Sequence, residues 1–165
     1  MTADRVDVPA DPRDVPGSFR YRRPIEVRFA DTDAQGHVNN AAYMSYCEMA
    51  RAGYHEAVTN RPLPLGIHGA EEGIILADMR IAFRSPAFFG ETLTIEARVD
   101  RIGRRSFTMV FRITSPESRY GRARLIAVGE GVEVMYDYSA ERPIVVPDRL
   151  AAAMETHEGR VLRER

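Results

Sequence analysis

From residue 25 onward, apolar and polar positions alternate. Ile25, Val27 and Phe29 fall on one face while Glu26 and Arg28 fall on the other, the period of a strand with one buried side. The same rhythm returns at Ile75, Ala77, Met79, Ile81 and Phe83, then at Leu93, Ile95, Ala97 and Val99, and again at Phe107, Met109, Phe111 and Ile113. A fifth stretch, 124–138, carries Ile126, Val128, Val132, Val134 and Tyr136. Five strands are expected.

The connections between them are short. Strands two and three meet across Ser85-Pro86-Ala87-Phe88-Phe89-Gly90, and strands three and four at Arg101-Ile102-Gly103-Arg104, where Gly103 suits a positive φ. Such connections predict antiparallel neighbours, because a parallel crossover takes about a dozen residues. One segment breaks the strand rhythm: residues 40–58, rich in Ala, Met and Glu and free of proline, predict a helix of about five turns. Asn39 or Asn40 fits its N-cap. Its small residues (Ala41, Ala42, Ala50, Ala52, Ala57) predict close packing against a curved sheet. A last helix is expected over 147–156, opened by Pro147. The order predicts an α+β fold in which an antiparallel sheet of five or six strands wraps one long central helix.

Composition narrows the class. The chain has 165 residues, consistent with one domain large enough to bury a core without staples. Residues 1–23 hold Pro9, Pro12 and Pro16 among charges, so they read as a mobile N-terminal arm, followed by a domain over 24–156 and a tail over 157–165. With 23 Lys+Arg against 24 Asp+Glu, the formal charge of −1 gives no electrostatic case for nucleic acid. No apolar signal region or membrane-length run occurs, so a soluble, cytoplasmic protein is expected. Cys47 is the single cysteine, which excludes an internal disulfide and a cysteine-rich zinc site.

The densest polar cluster is Asp31-Thr32-Asp33-Ala34-Gln35-Gly36-His37-Val38-Asn39-Asn40, between the first strand and the long helix. A helix N-terminus offers free N–H donors and a positive dipole end suited to an oxyanion. Two carboxylates, an amide and an imidazole beside it supply what hydrolysis needs: one group to activate water or attack a carbonyl, another to orient it. The same residue types also serve as ordinary helix caps. Metal binding by Asp33 and His37 is the weaker reading, because no HxH or HExxH spacing accompanies them.

The stretch VRFADTDAQGHVNNAAYMSYCEMAR resembles the signature of hotdog-fold acyl thioesterases, in particular the 4-hydroxybenzoyl-CoA thioesterase family. It is also similar to acyl-ACP thioesterases, which carry an Asp-x-Asn-x-His-Val-Asn-Asn run. A looser likeness extends over about residues 24–155. The resemblance implies hydrolysis of an acyl-CoA thioester, with acyl-ACP the alternative carrier, without a cofactor or metal. Asp33 would be nucleophile or base, His37 and Gln35 would orient it or the water, and Asn40 or its neighbours would donate a backbone N–H to the thioester oxygen. Val38, Asn39 and Tyr43 would line the substrate, and the pantetheine arm would thread between two subunits. Gln35 stands where the acyl-ACP enzymes have Asn, and Asn39-Asn40 where benzoyl-CoA-like members often have Tyr-His.

Other residues carry weaker readings. Arg104, Arg105 and Ser106, with Arg101, sit at a hairpin tip where guanidinium forks suit the phosphates of CoA. Asp31 is a second candidate acid. Glu48 is either a helix carboxylate of the kind another hotdog branch uses or a partner of Arg51. Tyr43 and Tyr46 share a helix turn and either line an acyl pocket or pack in the core. Cys47 reads as a small core residue, and His55, His68 and His157 show no partner pattern. The loop 60–73 is a candidate pocket wall or lid. Two rival functions stay open: a non-enzymatic acyl-CoA binding module, and a hydratase or dehydratase, whose Asp-x-Asn-Pro-x-His pattern is missing here. A single sheet leaves its edge strands open, so a homodimer or homotetramer is expected.

Overall fold

A computed structural model describes residues 14–15, 17–61, 72–116 and 121–163. The elements run β1 (Tyr21–Glu26), a short 3-10 turn (Phe29–Asp31), α1 (Asn40–Thr59), β2 (Glu72–Phe83), β3 (Thr92–Ile102), β4 (Ser106–Ser115), β5 (Arg124–Asp137), β6 (Arg142–Pro143) and α2 (Asp148–Glu158). All strand pairs are antiparallel, in the order β1-β3-β4-β5-β2, with β6 added to β5. The α+β class with a sheet curved around one long helix is therefore as the alternation predicts.

The strand order corrects the expectation that strands two and three are neighbours. They run in opposite directions, as the short connection requires, yet β4 and β5 lie between them. Three inter-strand spacings amount to about 14 Å, and the eight connecting residues 84–91 reach up to about 26 Å when extended, so the crossing is feasible. The connection anchors itself on the way through buried Ala87 and Phe88.

Leu93, Ile95, Ala97 and Val99 of β3 face Met109, Phe111 and Ile113 of β4 in one core with α1. The helix buries Tyr43, Tyr46, Cys47, Ala50 and Tyr54, a stripe at i, i+3, i+4, i+7 and i+11. Small residues do not line that stripe as expected: Ala50 is buried, while Ala41 and Ala57 are exposed. Asn39 is the N-cap, its side chain accepting from Ala41 N at 2.8 Å.

Four further expectations change. The first strand ends at Glu26, and Phe29, expected on the buried face, is 77% exposed and edge-to-face with Phe89. Gly103 does not take a positive φ, and the β3–β4 turn closes through Gly103 N donating to Ser106 O at 2.8 Å. The described part of residues 1–23 is docked rather than loose. Asp14 pairs with Arg112 at 2.8 Å, Phe19 is buried beneath the Arg98 guanidinium at 4.6 Å, and β1 begins at Tyr21. Charged residues on the outer sheet face (Glu96, Arg98, Arg112) supply the partners that few apolar side chains would not predict. Residues 1–13 and 16 lie outside the described residues, as does most of the loop 60–73, including His68. At the other end, Ile102 N donates to Leu162 O at 2.8 Å and Leu162 is buried, so the segment after α2 is fastened to β3.

Candidate functional site

Val27 closes the end of the sheet by bonding Glu91 O (2.9 Å), after which the chain turns twice before entering α1. The first turn is built on Asp31. Its Oδ2 accepts from Arg28 N at 2.9 Å, its Oδ1 takes the Arg28 guanidinium at 2.7 Å, and Tyr46 of α1 donates its hydroxyl to Oδ2 at 2.9 Å. The Arg28 bonds hold the Asp31 carboxyl below the usual carboxylate range, while burial and the Asp31 bond push the Tyr46 hydroxyl up. Asp31 O also accepts Asn39 N at 2.8 Å, which sets where the helix starts. A buried carboxylate with all these partners is structural.

The second turn carries Asp33. Asp33 N donates to His37 O (3.1 Å) and Gly36 N donates back to Asp33 O (2.9 Å), flanked by a bridge between Thr32 and Val38. Gly36, at φ +79°, gives this turn a conformation that side chains rarely adopt. Within it, Asp33 Oδ1 accepts Gln35 N at 2.9 Å and lies 4.0 Å from His37 Nδ1, which is itself 3.3 Å from Val38 O. Asp33 Oδ2 keeps its lone pairs among the described residues, and the Asp33 side chain is 25% exposed. The carboxylate is thus oriented by one oxygen and reachable at the other.

The helix mouth lies three residues beyond His37. Ala41 N donates to the Asn39 side chain and Ala42 N to Asn39 O (2.9 Å), which leaves the Asn40 N–H without an acceptor among the described residues. A free N–H at the positive end of a 20-residue helix is a donor for a developing oxyanion.

The structure therefore brings Asp33, Gln35, His37 and Asn40 into one turn-and-helix unit, with Gln35 contributing its backbone N–H. Other candidates sort differently. Val38 is a core residue, 2% exposed, whose N–H is taken by Ala87 O at 2.8 Å. Asn39 spends its side chain on the cap. Tyr43 is buried edge-to-face with Tyr46 and against Phe83, and burial pushes its hydroxyl up to about 12. Arg104, Arg105 and Ser106 are not brought to this site in one chain. Glu26 pairs with Thr92 at one end of β3, whereas the hairpin follows Ile102, ten residues along the strand or roughly 33 Å away.

Glu48 pairs with Arg51, as its helical spacing predicts. Arg51 also reaches Glu133 of β5 at 2.8 Å, and Glu133 is fully buried, so burial raises its carboxyl above the ordinary value. This group is absent from the sequence reading. Its signal was parity: Ala127, Gly129, Gly131, Glu133 and Met135 share the inner face, where a glutamate is out of place. Among the described residues no group of three His, Cys, Asp or Glu could hold a metal ion, and no helix is long and apolar enough to cross a membrane.

Against known proteins, the model of the thioesterase-like superfamily matches residues 27–154. An acyl-CoA thioesterase YbgC of Helicobacter pylori is 31% identical over 87 residues, 52% of this chain and 60% of its own length. A 1,4-dihydroxy-2-naphthoyl-CoA hydrolase of Synechococcus elongatus is 27% identical over 111 residues, covering 66% of this chain and 78% of that protein. The crystal structure of a Thermus thermophilus thioesterase, solved with coenzyme A and zinc, superimposes with a TM-score of 0.70 at 30% identity, over 86% of this chain and 96% of that one. A thioesterase-superfamily structure from Jannaschia (TM-score 0.75, 23% identity, 88% and 87% coverage) shares the fold. The match spans about three-fifths of the Helicobacter protein.

Proposed function

This chain belongs to the thioesterase-like superfamily, and from that premise we propose that it hydrolyses an acyl-CoA thioester to a free carboxylic acid and coenzyme A. The observation that carries the reading is a partly exposed, pre-oriented Asp33 carboxylate seven residues before the Asn40 N–H, which has no acceptor among the described residues at the mouth of α1. A thioester carbonyl resting between them meets a donor at its oxygen and a carboxylate oxygen at its carbon.

As base, Asp33 Oδ2 takes a proton from water, and the hydroxyl oxygen bonds to the carbonyl carbon. The oxyanion collects the Asn40 N–H, the C–S bond breaks, and the sulfur leaves with the proton. As nucleophile, Oδ2 bonds to that carbon directly, the C–S bond breaks, and the thiolate leaves and takes a proton from solvent. Water then splits the mixed anhydride into the free acid and the Asp33 carboxylate. His37, 4.0 Å from Oδ1, supports either course by holding the carboxylate or the water in place. The names of the Helicobacter and Thermus relatives favour coenzyme A as carrier, with acyl carrier protein the alternative.

A homodimer paired through β2 belongs to the same reading. Of the two edge strands, β1 is short and carries Pro24 with Arg22 and Arg23, which guards an edge. The other edge, β2, is twelve residues long with Ile74, Ile75, Leu76, Met79 and Ile81 only half-buried.

Thioester cleavage measured across short, long and aryl acyl-CoAs and acyl carrier proteins tests the function. Turnover in wild type and loss of at least about a hundredfold in Asp33→Asn is expected. Binding of every acyl-CoA with no cleavage above the Asp33→Asn level would overturn it. A single turnover in oxygen-18 water identifies the nucleophilic course by label in Asp33, which enters only where Asp33 formed the anhydride and water attacked its carboxyl carbon. Sedimentation at micromolar concentration should give a dimer or larger, and Ile81→Lys should shift it toward monomer.

A further inference from the structure

At the far end of α1, roughly 22 Å along its axis from the helix mouth to His55, the two helices and the ends of β2 and β5 border an open cavity of about 550 Å³. The proposed hydrolysis has no use for it. We propose that this cavity is a second ligand site, separate from Asp33, that binds an amphipathic monocarboxylate such as a medium-chain fatty acid.

The floor and walls select an apolar body. Val58 of α1, Ile74 of β2, Met135 of β5 and Leu150 of α2 line it, and its volume lies within the roughly 300–1,000 Å³ of small-molecule sites. The rim selects the head group. Among the described lining residues, Arg61 and Arg149 stand there against one carboxylate, Glu72, an excess of one positive charge. Glu72 is 3.5 Å from Arg149, and the Arg61 guanidinium has no ion-pair partner among the described residues. Arg61 follows directly on the C-cap of α1, Asn60 at φ 54°. There it offsets the negative end of the helix, which would otherwise repel an anion. His55 in the wall is held below its ordinary value by burial, so it adds no charge at neutral pH.

An excess of one positive charge over an apolar chamber discriminates among ligands. A neutral lipid leaves the guanidiniums unused, and a multiply charged phosphate leaves the floor unfilled. A carboxylate on a hydrocarbon body satisfies both, with a guanidinium able to take its two oxygens side by side. The released acid of the proposed reaction is one member of this class. Binding does not depend on that reading, because it is measured with a free acid and no thioester.

Titration calorimetry of the full chain with octanoate, and with 1-octanol as the uncharged match, tests the site. One saturable octanoate per chain is expected, with octanol at least about tenfold weaker. Arg61→Ala and Arg149→Ala should each weaken octanoate severalfold, and Glu72→Gln should tighten it by removing the competing anion. Ala153→Trp, which fills the chamber from α2, should abolish binding while the melting temperature shows the protein folded. Asp33→Asn should leave octanoate affinity unchanged, which separates this site from the proposed reaction centre. Absence of saturable binding, equal affinity for octanol, affinity surviving Ala153→Trp, or a loss with Asp33→Asn would each overturn the proposal.

Discussion

Asp31 and Asp33 are two residues apart and opposite in environment. Asp31 is 6% exposed and bonded to Arg28 and Tyr46, while Asp33 is partly exposed with one oxygen held by Gln35 N. Their substitutions should therefore separate cleanly. Asp33→Asn should lower thioester turnover by at least about a hundredfold with little change in melting temperature. Asp31→Asn should lower the melting temperature, with its remaining activity following the folded fraction. Equal loss of activity in two equally stable variants would contradict this division.

Gln35 holds Asp33 through its backbone, not its amide side chain. Gln35→Ala should then change kcat/KM by less than about threefold. Gln35→Pro removes the donor and should cost far more, in line with the loss of a hydrogen bond to a charged group worth roughly 1.5–3 kcal/mol.

Acid should loosen the approach to α1. The folded Asp31 carboxyl titrates below its unfolded value of about 3.9. Its bond to Arg28 thus contributes fully above about pH 4, and that contribution is lost as the pH falls through the lower folded value. Melting temperatures from pH 6 down to pH 2 should fall more steeply in wild type than in Asp31→Asn.

Arg51 holds a fully buried carboxylate, whereas Glu48 is a partly exposed partner. Arg51→Ala leaves Glu133 buried without its cation, and a cost of about 3 kcal/mol is expected. That corresponds to a fall of roughly 6–12 °C in melting temperature for a chain of this size. Glu48→Ala should cost no more than about 1 kcal/mol. Denaturant midpoints of the two variants check the ranking.

Cys47 is 2% exposed, and burial pushes its thiol up to about 12. At pH 8 only about one part in ten thousand is then thiolate. A thiol reagent at that pH should leave the native protein unlabelled and modify one cysteine per chain after unfolding.

Local pattern located most of the elements but not all of their faces. On β5 the alternation points the even positions from Ile126 to Tyr136 inward, whereas the odd positions from Ala127 to Met135 lie there, and Ala77 and Phe83 of β2 are exposed. Period-two alternation placed β2 through β5, the proline-free run placed α1, and Asn39 or Asn40 as cap with Asp33, Gln35 and His37 before it placed the candidate chemistry. These are local properties: backbone periodicity, capping and turn formation act within a few residues. What depends on distant partners came from the fold. It set β2 beside β5 instead of β3, and put Arg104 and Arg105 at the opposite end of β3 from Asp33. It also buried Asp31 under Tyr46 while leaving Asp33 reachable, and joined Arg51 to Glu133 across 82 positions. Which strand pairs with which, and which of two like carboxylates meets a cation, is fixed by packing of residues far apart in the chain, and no local pattern encodes that choice.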